Sequence, residues 1–221
     1  MLSVKALTGV VSSAALGAQG FDTDASLDAS SAAALAEAGF RFAIRYLSRT
    51  TPQSAGDLSP SEAQVILDAG LALMAVQHVS RPGWAPSSNL GKQYGAAAAT
   101  NAGSIGLPIG LSLWLDLEGV APYASAADVI AYVNAWAGAV RSVGYLPGLY
   151  VGANQPLSGD DLYWRLTVTR YWKSASKVPE IPYRGYCLAQ ALAPSPIDGV
   201  SIDRDVAMAD NFGALATWLI A

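Results

Sequence analysis

Two carboxylic acids spaced two residues apart, Asp116 and Glu118, close the segment Leu111-Ser-Leu-Trp-Leu-Asp-Leu-Glu118, where leucine fills every odd position. Side chains along a strand alternate between its faces, so Ser112, Trp114, Asp116 and Glu118 share one face and the leucines the other. In a barrel wall the aliphatic face packs outward on helices, which turns Trp114 and both acids inward, near the strand end where such barrels hold their sites. Carboxyls crowded into one cleft suit glycosidic hydrolysis. One of them, kept protonated by its neighbours' charge, delivers a proton to the leaving oxygen, and negative charge steadies an oxocarbenium-like centre. The same acids would also suit Mg²⁺ or Ca²⁺ binding, and a strand that runs into a solvated acidic loop would show the same letters.

Two further segments repeat the arrangement. Gly20-Phe-Asp-Thr-Asp24 places Asp22 and Asp24 on one face, and Val200-Ser-Ile-Asp-Arg-Asp-Val206 places Ser201, Asp203 and Asp205 opposite Val200 and Ile202. The first and last strands of a closed barrel are neighbours, so Asp22 and Asp203 are expected close together at the mouth that Asp116 and Glu118 face. Asp24 and Asp205 read equally well as loop or capping acids. The aromatic residues Tyr46, Trp84, Trp114, Tyr150 and Trp172 fall on strand ends or in the loop Arg81 to Asn89, where flat rings can cover a pyranose face; core packing is the competing role for each. Trp136 and Trp218 are assigned to helices facing the barrel wall. Arg45 is expected beside the acids, offsetting part of their charge, with a surface role as the alternative. His78 lies in a Val-flanked strand, a setting in which a satisfied core imidazole is common.

The elements that must position these residues alternate along the chain. Eight candidate strands (Gly20 to Thr23, Arg41 to Ser48, Leu71 to Val79, Leu111 to Glu118, Gly148 to Gly152, Arg170 to Ser174, Tyr186 to Ala191 and Val200 to Val206) are separated by helical patterns. This is the order of an α/β fold, a single (β/α)8 TIM-like barrel. Ser59-Pro-Ser-Glu62 supplies an N-cap, a first-turn proline and a capping acid, with Gly70 as the stop. Ser125 with Asp128 starts a second helix whose apolar positions Val129, Tyr132, Val133, Trp136 and Val140 recur at helical spacing up to Gly144. A closing helix is expected over Asn211 to Ile220. Residues 1–19 form an N-terminal extension before the barrel of residues 20–221: Lys5 and the run Ala6 to Ala18 loosely resemble a secretory signal, but Thr8, Gly9, Ser12 and Ser13 interrupt it. Its small residues bury little area, so order is expected there only against the barrel's bottom or another chain, where it would provide an assembly contact.

Composition narrows the function. Of 221 residues 52% are hydrophobic and 14% charged, a balance that supports one well-filled domain, and no apolar run is long enough to span a bilayer. The 13 Lys and Arg residues, thinly spread in a chain of net charge -4, leave no basic footprint for nucleic acid. A single cysteine and a single histidine exclude an internal disulfide and a cysteine-based metal site and disfavour a zinc-protease site, and no cofactor or metal is called for.

Taken in order, Gly20-Phe-Asp-Thr, Gln77-His78, Leu115-Asp-Leu-Glu-Gly119, Pro147-Gly-Leu-Tyr150 and Ile202-Asp-Arg-Asp205 resemble the motif series of family-25 glycoside hydrolases, the muramidase type of lysozyme. Gly20-Phe-Asp-Thr23, Phe42-Ala-Ile-Arg-Tyr-Leu47 and Leu58-Ser-Pro-Ser-Glu62 are similar to the Rv2525c-like, glycoside-hydrolase-like domains of bacterial and phage proteins. The likeness runs from Gly20 to the C-terminus. It implies Glu118 as general acid, Asp116 as its carboxylate partner, Asp22 and Asp203 completing the cluster, and His78 as a polar residue at the substrate. It further implies a peptidoglycan substrate and a location outside the cell, in the envelope or on a phage. Asp205 stands where the muramidase pattern usually has Asn, and Arg204 is a further departure. A non-catalytic carbohydrate-binding or envelope module on the same barrel, and a Mg²⁺-dependent phosphodiesterase, are the competing readings, because fold alone does not fix function.

Overall fold

Each helix begins where a short polar side chain can take up an unpaired backbone N–H. In the computed structural model, which describes residues 6–192 and 196–221, Asp28 caps α1 (Ala29–Glu37), Ser59 caps α2 (Pro60–Asp68), Ser87 caps α3 (Ser88–Ile105) and Ser125 caps α4 (Ala126–Val143). Gly106 and Gly144 end α3 and α4 in the left-handed conformation that a β-carbon disfavours. The α3–α4 contact is close because Gly91 and Gly95 carry no β-carbon: one at either position would lie within 2.5 Å of the Tyr132 or Trp136 carbonyl oxygen.

Between these helices run β1 (Val10–Ser13), β2 (Gln19–Thr23), β3 (Phe42–Leu47), β4 (Ala72–Gln77), β5 (Ser112–Leu117), β6 (Leu146–Val151), β7 (Tyr171–Lys173), β8 (Leu188–Leu192), β9 (Asp203–Ala207) and β10 (Thr217–Ile220). The order β4-β3-β2-β9-β8-β7-β6-β5 closes on itself through β4–β5, giving an eight-stranded barrel built from the eight expected segments.

It is not a regular (β/α)8 barrel. The strands β2 to β8 run parallel to their barrel neighbours among themselves, whereas β9 is antiparallel to both β8 and β2. Leu192 pairs with Asp203, and the ten residues that separate them in sequence are fewer than the dozen or so that a parallel crossover needs. Among the described residues four α-helices and a single π-turn (Asp161–Arg165) cover the wall. The segment expected as a closing helix is β10 instead. Gly213 breaks the chain with φ of +77°, and Thr217-Trp-Leu-Ile220 alternates with period two, Trp218 facing the barrel interior and Leu219 the outer layer.

The extension completes this end. β1 pairs with β10 in antiparallel register, Ala14 is buried, and Trp218 Nε1 donates to Ser12 Oγ. β10 meets the start of β4 at Leu73, while Thr217 bonds to Ser112 and to the Gly110 carbonyl at the start of β5. Residues 10–14 therefore lie against the barrel's bottom, opposite the acids; residues 1–5 are outside the described range. No described helix is long and apolar enough to cross a membrane.

Two apolar layers separate inside from outside. Leu111, Leu113, Leu115 and Leu117 belong to the outer one with the helices, at about 1.5–3 kcal/mol for each leucine buried. Phe42, Ile44, Met74, Val76, Trp114, Trp172 and Leu188 fill the barrel. The large rings fit because glycines stand opposite: a β-carbon on Gly20 would come within 2.4 Å of the Phe42 ring, and one on Gly148 within 2.4 Å of Trp114.

Candidate active site

At the C-terminal end of β5 the alternation delivers Asp116 into the barrel and Glu118 to its rim. Gly152, after β6, leaves the space Glu118 occupies: a β-carbon there would sit 2.8 Å from Glu118 Oε2. β2 contributes Asp22. Because β9 runs antiparallel, its first residue rather than its last is at this mouth, and Asp203 pairs directly with Asp22. The four acids line one cleft of about 370 Å³ together with Tyr46 and His78. A second lobe of about 210 Å³ shares Tyr46, Asp116, Glu118 and Asp203 and adds Tyr150, Trp172 and Gln190.

Hydrogen bonds fix the inner carboxyls. Tyr46 donates its hydroxyl to Asp22 Oδ1 (3.2 Å), Gln190 Nε2 donates to Asp22 Oδ2 (2.7 Å), and Tyr150 donates to Gln190 Oε1 (2.9 Å). Trp172 Nε1 donates to Oδ1 of the buried Asp205 (2.8 Å), one layer below. Glu118 is held through its backbone, whose carbonyl accepts from Trp84 Nε1 at 2.9 Å. His78 stacks on Tyr46 with ring centroids 4.4 Å apart and shares a 2.8 Å hydrogen bond with Asp57.

The common effect on these acids is retention of their protons. Burial pushes Asp22 up to about 6, with hydrogen bonds from Gln190 and Tyr46 opposing and the Asp203 charge reinforcing. Asp116 is held well above the carboxylate range by burial first, then by the charges of Glu118 and Asp22, against the Val79 amide. Burial alone raises Glu118. Asp205 is likewise held well up by burial and by Asp22. Its Oδ2 has no partner as a carboxylate, which is the condition of a carboxyl that carries its proton. Protons in such a set belong to the cluster rather than to one residue.

Three residues expected at the substrate lie elsewhere. Arg45 alternates with inward Ile44 and Tyr46, so it points outward; it is fully buried against α2, paired with Glu62 at 2.6 Å and bonded to the Thr23 and Gly56 carbonyls. Trp114 is fully buried in the barrel beneath the cleft. Trp84 packs edge-to-face on Tyr132 behind Glu118, outside the cleft lining. Of the two helix tryptophans, Trp136 is on α4 and donates to Gln77 Oε1 at 2.7 Å, while Trp218 is on β10. Conversely, Gln190 and Asp57 are site residues that motif reading passed over. Gln190 had a signal, since it stands two residues after inward Leu188, whereas Asp57 lies in a loop with no period.

Among the described residues no group of three or more His, Cys, Asp or Glu has the geometry to hold a metal ion. A family model described as "Rv2525c-like, glycoside hydrolase-like domain" matches residues 33–191. Among solved structures, Mycobacterium tuberculosis Tat-secreted protein Rv2525c, in complex with L-tartrate, is 20% identical with TM-score 0.62, over 90% of this chain and 98% of that one. A family 25 glycosyl hydrolase from Bacillus anthracis is 16% identical with TM-score 0.61, over 87% and 89%. The bacterial lysozyme from Streptomyces coelicolor is 16% identical with TM-score 0.59, over 86% and 92%. No curated protein matches. At these identities the structures establish a shared fold.

Proposed function

The chain belongs to the Rv2525c-like, glycoside hydrolase-like family, and from that premise we propose that it hydrolyses a glycosidic bond in cell-wall glycan, with Glu118 as general acid and Asp116 as its carboxylate partner. The observation that carries this reading is the placement of Asp116 and Glu118 on one inward face at the barrel mouth, both raised by burial. Glu118 is the less buried of the two and the one able to reach a leaving oxygen at the rim. Its proton passes to the glycosidic oxygen as the C1–O bond breaks, and water adds to the oxocarbenium-like carbon and returns a proton to the cluster. Asp116, Asp22 and Asp203 surround that carbon with partial negative charge, and Tyr150 and Tyr46 offer ring edges and hydroxyls to the sugar. A site outside the cell or in its envelope follows from such a substrate.

One feature favours a second reading, a glycan-binding envelope module without turnover. Asp22, Asp116 and Asp205 all hold their protons more strongly than a charge-stabilising carboxylate should. The deciding measurement is release of reducing ends from purified sacculi by wild type beside Glu118→Gln. Release by wild type alone supports hydrolysis. Sedimentation with sacculi and no release by either protein supports the binding module, and neither release nor sedimentation rejects both.

A further inference from the structure

Most cations among the described residues are paired or exposed. Arg45, Arg165, Lys173 and Arg184 form ion pairs, Arg141 and Arg170 bond to carbonyls, and Arg204 lies over Phe40. Arg41, Arg81, Lys92 and Lys177 are exposed. Arg49, two residues past β3, is the exception among the described residues: it is half-buried and its guanidinium makes no ion pair or hydrogen bond. Partial desolvation of a guanidinium costs free energy unless something of opposite charge reaches it.

The recess that Arg49 lines is built for a polar guest. It holds about 290 Å³, with Thr50, Ser54 and Tyr94 among its walls, and it adjoins the acidic cleft by sharing His78 and Val79 with it. Its one carboxylate is already committed, Asp57 accepting from the Ser48 hydroxyl on one oxygen and sharing a hydrogen bond with His78 on the other. The two lobes of the cleft contain Asp22, Asp24, Asp116, Glu118 and Asp203 and no Lys or Arg. A saccharide bearing a carboxylate therefore meets no cation along the cleft and one at this end.

We infer that Arg49 and its recess form a subsite for a carboxylate substituent of the bound glycan. The inference rests on the glycan reading above and adds to it a substrate class, an acidic rather than a neutral saccharide, and a direction in which it lies. Planar guanidinium suits a carboxylate through paired N–H donors, and the cleft, lined by no cation, offers the reversed orientation no such partner.

Calorimetric titration in the Glu118→Gln background, which prevents turnover, compares an oligosaccharide alternating N-acetylglucosamine and N-acetylmuramic acid with the same molecule amidated at its carboxyls. The acid should bind about tenfold tighter than the amide at low salt. Adding Arg49→Gln should remove that preference while leaving amide binding unchanged, and Arg49→Lys should keep part of it. Equal binding of acid and amide with Arg49 present overturns the subsite and leaves the glycan reading standing. A preference that survives Arg49→Gln, or an equal loss of both ligands, overturns it as well, placing the recognition elsewhere or reducing Arg49 to packing. If neither saccharide binds the folded protein, the glycan reading falls and the subsite with it.

Discussion

Replacing Asp22 by Asn should stabilise the protein at neutral pH and leave its stability unchanged in acid. Asp22 is only 4% exposed, and its carboxyl is pushed from 3.8 to about 6, first by burial. In the unfolded chain it ionises near 3.8. Below that value both states hold the proton and the site carries no penalty. As pH rises from 3.8 to 6 the unfolded state ionises and the folded state resists, so stability falls, and above 6 the whole shift has been lost. At about 1.36 kcal/mol per unit the loss is about 3 kcal/mol. Asn has nothing to ionise, and its amide can serve Gln190 with oxygen and Tyr46 with nitrogen. Urea unfolding of both proteins at intervals from pH 3.5 to 7.5 should give a difference near zero at the acid end, growing to about 3 kcal/mol at the neutral end. The charge of Asp22 also raises Asp116 and Asp205, so Asn relieves part of their burden too, and the difference measures Asp22 together with its coupling to the cluster. A difference independent of pH, or a variant less stable at pH 7, would refute the claim that the cluster strains the fold. A positive result accompanied by lost glycan chemistry would mark the cluster as retained for function at the expense of stability.

Glu62→Ala leaves the Arg45 guanidinium buried without its partner and takes an acceptor from the Leu27 amide, and should cost about 3–5 kcal/mol by chemical denaturation. Loss below 1 kcal/mol would show that Arg45 reaches water. Deleting residues 1–14 removes β1, the Ser12 acceptor of Trp218 and buried Ala14, and should lower stability by roughly 2–4 kcal/mol, seen as a lower melting temperature. An unchanged melt would make the extension a passive appendage. Any hydrolysis of sacculi should persist in EDTA, since the proposed steps use carboxyl groups alone; loss in chelator restored by Mg²⁺ would transfer the site to metal-assisted chemistry.

Strand period and capping chemistry are local, and where they governed the outcome the sequence was enough. The leucine alternation of β5 assigns its inward and outward faces without any knowledge of its neighbours, and Ser59, Ser125, Gly144 and the acids of β2 and β5 could be read as they stand. The same alternation already turned Arg45 outward, against the role its charge suggested. Tertiary structure decided what depends on partners distant in sequence. The direction of β9 followed from the short return after β8, and that reversal set Asp203 opposite Asp22 at the mouth while sinking Asp205 below it. Residues 217–220 became a strand because β1 offered an edge on one side and the starts of β4 and β5 a gap on the other. Nor could letters alone show that Arg49 lacks a partner or that Gln190 reaches Asp22 across 168 positions. A side chain's face is set by its own backbone, whereas its charge state and neighbours are set by what the closed barrel removes from water.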